Sequence, residues 1–312
     1  MTYPTNLGMK IRKMSESLSE YHNLVESLAG ELPSIPLIMN DLLKIISDSN
    51  AALFAIRDMI KNDKTIFSKV LKFANNVEYR QGSAERITSI SDAVQRLGLE
   101  NVKKIALNTS VFKLFEELES NSQFKLEDLW MHSCGVAIAS EVLAERFESK
   151  FSEHAYSCGL LHDLGKVAKL KFSSENFFKE VQHAFDNDQS FHSAELNFRS
   201  LQHDVLGALL VQKWGISPVV EDTTRWHHTV KKSHRTGVED PNMHKLIDLV
   251  KLANHIIKDI EFGNSGYRVK LHLDPEFLRR RKMDDKELQN CKEVVQEALE
   301  AEAEHLAIFS KE

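Results

Sequence analysis

Apolar residues recur at three- and four-residue intervals over most of the chain, the spacing of one buried stripe on an α-helix. Over residues 65–77 the stripe is Ile66, Phe67, Val70, Leu71, Phe73 and Ala74, and it predicts a helix there. Ser91-Asp92 is placed to cap a helix through Ala93, Val94 and Leu97, with Gly98 suited to its end. The same spacing predicts helices over residues 99–115 and 126–147, the second through Leu129, Trp130, Val136, Ile138, Val142 and Leu143. Alternation of apolar and polar positions, the mark of a half-buried strand, is nearest at residues 268–273 and is short there. The chain therefore reads as all-α. An N-terminal helix is expected over about residues 8–30, with Tyr21, Leu24, Val25 and Leu28 as its stripe. A last helix is expected over residues 284–309, carrying Leu288, Cys291, Val295, Ala298, Leu299 and Leu306. Both stripes read first as core contacts and second as partner surfaces.

Composition narrows the class. With 312 residues and 42% hydrophobic content, the chain can build one large domain or two modest ones around a substantial core. It has no run of about 18 uncharged apolar residues, so no membrane-spanning helix is expected. Residues 1–13 lack the apolar stretch of a secretory signal. Cys134, Cys158 and Cys291 are far apart, odd in number and form no Cys-x-x-Cys pair. Reduced thiols in a cytoplasmic protein are expected, rather than a disulfide frame or a zinc finger. The net charge of −6 gives no broad basic footprint, so neither nucleic acid nor a membrane is an expected partner. The basic run Arg279-Arg280-Arg281-Lys282 is closely followed by Asp284-Asp285 and reads as a solvated face rather than a phosphate patch. Asn264-Ser265-Gly266 reads as a linker, or equally as a loop within one domain.

Histidine changes the picture. Of 14 histidines, several fall on apolar helix faces. Gly159-Leu160-Leu161-His162-Asp163-Leu164-Gly165-Lys166 carries an imidazole and a carboxylate into an apolar helix end. An unpaired buried carboxylate costs several kcal/mol, so Asp163 needs a cation, a metal or several donors. Gly165 is expected to let the chain turn, and Lys166 to stand as a cation near an anion held there. The bland alternative has His162 donating to a backbone carbonyl and Asp163 capping the next helix. His132 shares the face of Leu129 and Val136. His203 opens a helix in which Gly207 allows close packing, and His227-His228 follows an apolar helix from Pro218 to Trp226. Each buried histidine needs a polar partner, and five of them gathered around one aspartate would make a metal site. A nitrogen-rich set suits zinc, iron, manganese or nickel and disfavours calcium and magnesium. The other histidines, among them His154, His183, His192, His255 and His272, are assigned to the surface or ordinary core.

The order His132, His162-Asp163, then a late acidic position resembles the HD superfamily of metal-dependent phosphohydrolases. Asn254 in Leu252-Ala253-Asn254 stands where that pattern has its last aspartate, and an amide there is expected to weaken a metal or remove a proton acceptor. His203 and His227-His228 resemble the enlarged ligand set of the HD-GYP phosphodiesterases, but Thr229-Val230-Lys231-Lys232-Ser233 departs from their Gly-Tyr-Pro signature. A wider resemblance, over about residues 32–260, is to the HDOD domain. It is carried by Leu32-Pro33-x-x-Pro36, Ile60-Lys61-Asn62-Asp63, Leu71-Lys72-Phe73-Ala74-Asn75, Ile87-Thr88-Ser89-Ile90 and Leu129-Trp130-x-His132-Ser133. Gly159-Leu160-Leu161-His162-Asp163, Glu195 ahead of His203-x-x-x-Gly207, Trp214-Gly215-Ile216-Ser217-Pro218 and His227-His228 complete it.

The resemblance implies a multi-helical HD-superfamily fold and a bacterial signal-transduction output. The expected organisation is an N-terminal helix over 1–31, an HDOD domain over 32–262 and a charged helical region over 263–312. Within the domain a helical subdomain covers 32–118 and the metal-site subdomain covers 124–262. His132, His162, Asp163, His203, His227 and His228 are the expected ligands of one or two divalent transition metals. Glu195 and Asn254 are expected behind them. If the site is active, Asp163 and Lys166 are the catalytic candidates in hydrolysis of a nucleotide or cyclic (di)nucleotide. If it is not, the metal is structural or sensory, and the partner is a signalling protein or a phosphate-containing small ligand.

Overall fold

The structure is a computed structural model that describes residues 19, 21, 23–27, 52–76, 86–115, 118, 120–270, 272–303 and 306–307. Fourteen α-helices and no strand occur among the described residues. The first group is α1 (Ala52–Asn62), α2 (Lys64–Ala74), α3 (Ile90–Leu97) and α4 (Leu99–Phe112). The second is α5 (Leu126–Arg146), α6 (Ser152–Leu161), α7 (Leu164–Phe172), α8 (Ser174–Asp186), α9 (Phe191–Phe198), α10 (His203–Lys213), α11 (Pro218–Trp226) and α12 (Pro241–Asp259). Two more follow, α13 (Pro275–Arg281) and α14 (Asp285–Ala301). No helix of the described residues is long and apolar enough to cross a membrane.

Local chemistry explains where many helices start. An oxygen at the N-cap satisfies backbone N–H groups that have no partner in the first turn. Asp63 accepts from Thr65 and Ile66 at the head of α2, and Ser89 from Asp92 at the head of α3. Proline at the first helical position already has the helical φ and no N–H to satisfy. Ser217-Pro218, Asp240-Pro241 and Asp274-Pro275 open α11, α12 and α13 in this way. The cap of α3 is thus Ser89, two residues ahead of the expected Ser91-Asp92. Asp284 caps α14 rather than beginning it.

The long helix α5 is the spine. It packs against α6, α12 and α14, while α10 packs against α7 and α11. Trp130 of α5 is buried edge-on to Phe112 and Phe115, at centroid distances of 5.3 and 5.5 Å, and this joins the first helical group to the second. Of the expected N-terminal helix, residues 19, 21 and 23–27 are helical and the rest lies outside the described residues. Tyr21, Leu24 and Val25 are buried, and Tyr21 Oη accepts from Gln202 N at 2.6 Å just ahead of α10. The last stripe is likewise core, with Cys291, Val295, Leu299 and Leu306 buried. The 279–282 run is not simply the solvated face expected of it. Arg280 reaches Asp248 of α12 at 2.9 Å, where Arg235 also binds at 2.6 Å, and Arg281 lies over the Phe147 ring.

Candidate metal centre

The helix α6 stops at Leu161, His162 occupies its C-cap and Asp163 stands at the N-cap of α7. The abrupt junction holds both side chains inside, 0% and 2% exposed. His162 Nδ1 lies 2.7 Å from the Gly159 carbonyl, which can only accept, so that nitrogen carries a proton and Nε2 is turned toward Asp163. Half of the bland alternative therefore holds for His162. Asp163 does not follow it, because its side chain caps nothing. It points instead into the imidazoles.

Its two oxygens face different histidines. Oδ2 lies 3.3 Å from His162 Nε2 and 3.8 Å from His132 Nε2. Oδ1 lies 3.2 Å from His203 Nε2 and 3.8 Å from His227 Nε2. His228 Nε2 meets His203 Nε2 at 2.9 Å. All six expected ligands are thus brought together, as two groups that share Asp163. The tautomers agree with metal binding. His227 Nδ1 donates to Thr224 O at 2.8 Å and His203 Nδ1 to Glu195 at 2.7 Å, so each ring turns its other nitrogen inward. Burial holds His132, His227 and His228 well below the usual histidine range, in the neutral form that ligates. Burial also opposes charge on His203, but Glu195 and Asp163 together outweigh it and raise that group. For Asp163 burial acts upward, and His162 and Lys166 outweigh it to hold the carboxyl well below the carboxylate range. His132, His162 Nε2, His227 Nε2 and Asp163 Oδ1 are buried without a hydrogen-bond partner. Such atoms are rare inside proteins, and this set of donors fits a transition metal.

Supports reach further than the sequence suggested. Glu195 also accepts from His203 N at 2.9 Å and is itself held by Lys169 Nζ at 2.7 Å, which binds Glu180 at 2.6 Å. Lys169 and Glu180 were not expected here; the available signal was the i, i+3 spacing of Lys166 and Lys169 on a helix with a buried face. Lys166 binds Asp163 directly at 2.7 Å and the Ser265 carbonyl at 2.9 Å. The 264–266 segment is accordingly a loop packed against the site. Gly165 makes no turn of its own: it lies within α7 without a positive φ, and its missing side chain leaves room for the His203 carbonyl and Gly207 of α10.

His192, assigned above to surface or core, instead stacks on His228 with centroids 4.5 Å apart. His192-x-x-Glu195, one turn of a helix, was its signal. His192, His227, His228, His255, His272 and Asn254 all line one cavity of about 250 Å³. Asn254 Oδ1 is buried and unpartnered on its wall. Glu195→Gln should lower metal affinity about 10–100-fold by releasing both His203 and Lys169. Competition with a chromophoric chelator would measure this, and unchanged affinity would remove Glu195 from the support.

Comparison with known proteins agrees with this fold. The HDOD domain family model matches residues 32–230. An uncharacterized protein of Treponema pallidum (strain Nichols) is 24% identical over 299 residues, 94% of this chain, and the chain spans only 55% of that protein's length. An HDOD domain protein of Geobacter sulfurreducens has the same fold, with a TM-score of 0.69, 24% identity and coverage of 94% of this chain and 98% of that one. A candidate signal transduction protein of Marinobacter aquaeolei VT8 superposes with a TM-score of 0.74 at 17% identity, over 95% of this chain and 66% of that one. A candidate phosphohydrolase of Shewanella amazonensis SB2B does so with 0.58 at 21%, over 87% and 98%. With nearly two-thirds of its length matched by the family model, the chain belongs to the HDOD domain family.

Proposed function

We propose that this chain is a signal-transduction output protein whose buried histidine cluster holds one or two divalent transition metal ions, of iron, manganese, nickel or zinc. The observation that carries the assignment is Asp163, with His132 and His162 beside one oxygen and His203 and His227 beside the other. A carboxylate placed in this way is suited to bridge two cations. The first would take His132 and His162; the second would take His203, His227 and His228. The signalling role is supported by family membership and by the fold shared with the Marinobacter protein.

Phosphoester hydrolysis is the second reading, favoured by the cavity that His227 and His228 line. When bound, the metal would supply Lewis acidity and an activated water. The chain would contribute Asp163 as the shared anion and Lys166 as a cation. Asn254 weighs against turnover, since an amide on that wall replaces a group that could accept a proton. Protein purified without a histidine tag and reconstituted anaerobically should carry one to two transition metals per chain, and His162→Ala should carry almost none. A chain that stays metal-free after iron, manganese, nickel and zinc have each been offered would overturn the assignment. Metal-dependent release of phosphate or nucleotide from a panel of mono- and diesters would establish the second reading; bound metal without turnover leaves the first.

A further inference from the structure

Lys251, Asn254, His255 and Lys258 follow at intervals of three, one and three along α12, so they share one face of the helix, and all four line the cavity beside His227 and His228. We propose that this face is an anion subsite, which receives the phosphoryl group of a small phosphate ester and presents it to the histidine cluster. The assignment rests on the metal site proposed above for the reacting end of the ligand. The wall itself is argued from its unbalanced charge.

Lys258 Nζ stands 4.3 Å over the Tyr267 ring and has no ion pair among the described residues. Lys251 Nζ donates to the His228 and His227 carbonyls, at 3.2 and 3.5 Å, and it too has no carboxylate partner among them. The cavity's own carboxylates are engaged elsewhere. Asp259 pairs with Lys292 at 2.5 Å, and Asp274 accepts from Glu276 N at 2.7 Å at the head of α13. Burial pushes the Lys258 ammonium well below the usual lysine range, with Lys166 adding to the effect. A half-buried ammonium with no carboxylate paired to it is costly to keep charged, and an anion in the cavity would relieve that cost. Asn254 Oδ1, buried and unpartnered on the same face, asks for a donor, which a hydroxyl of the ester would supply. Two cations and one amide converging on a recess are what a phosphate bearing an alcohol requires. Size sets the class. About 250 Å³ is smaller than the pockets of about 300–1,000 Å³ that enclose drug-sized ligands. A single phosphate ester fits that space better than a cyclic dinucleotide.

Inorganic phosphate is the probe, titrated calorimetrically into the full chain while metal content is measured on the same samples. Lys258→Met should weaken phosphate about 10–100-fold, the worth of one charge-assisted hydrogen bond, and leave metal content unchanged. Lys258→Arg should bind phosphate nearly as wild type does. Should Lys258→Met fail to fold, Lys251→Met is read in the same titration. Phosphate binding that is absent in wild type, or that survives both methionine variants, overturns the subsite. The metal assignment fails separately, on wild-type metal content. Phosphate binding that persists after chelation and still depends on Lys258 would support the subsite without a metal. Binding that chelation abolishes and Lys258→Met leaves untouched would assign the anion to the metal alone and overturn the wall.

Discussion

Asp163→Ala is expected to strip the protein of metal and, in chelator-treated samples, to destabilise it by about 3–5 kcal/mol. The two effects have different origins. Asp163 is the carboxylate that both histidine groups share, so no neighbouring side chain can replace it. It is also the counter-charge of Lys166, and the pair has side chains only 1% exposed, 2.7 Å apart. Removing one partner of a buried ion pair leaves the other desolvated and uncompensated, which costs more than the pair contributed. The carbonyl of Ser265 would be the one polar contact left to Lys166 among those described. Asp163→Ala/Lys166→Met removes both charges and should recover most of the lost stability while still binding no metal. Urea denaturation after chelation keeps metal binding out of the comparison. A double variant no more stable than the single one would refute the ion-pair account. Full metal content in Asp163→Ala would refute the shared carboxylate.

Much of this arrangement was legible in the sequence, because helical spacing and burial are coupled along the chain. His132, His162, His203 and His227 fall on apolar faces, and the fold brings those faces together. Boundaries were less legible. Ser89, Ser91 and Asp92 could each cap a helix, and only the first has the extended backbone that a cap needs. Lys251 and Lys258 escaped notice for a different reason. On α12 they occupy the polar side of an amphipathic pattern, which in a sequence means solvent. Here part of that side faces a recess. Arg280 shows the same limit: nothing local tells a basic run that Asp248, 32 residues earlier, is waiting for it. Periodicity gives the direction of a side chain around its own helix. It does not say what lies opposite.

Gly165→Ala should be the most damaging single-methyl addition near the site, with a loss of at least about 3 kcal/mol. A Cβ built at Gly165 would lie inside the His203 carbonyl and 2.8 Å from Gly207 N. Overpacking costs about 1–3 kcal/mol where a side chain can yield, but these atoms are backbone, held by the turns of α10. The helices would have to separate where two glycines let them touch. His203 begins α10, so separation would draw its ring away from Asp163 and Glu195, and metal content should fall together with stability. Gly98→Ala provides the contrast. Gly98 joins α3 to α4 with φ +82° and nothing within 4 Å of the added methyl, so its cost is backbone strain of about 1–3 kcal/mol. That variant should keep its metal. Thermal melts and metal analysis of the two variants would separate general weakening from displacement of His203. If Gly165→Ala is as stable and as metal-loaded as wild type, the close crossing of α7 and α10 does not position the site.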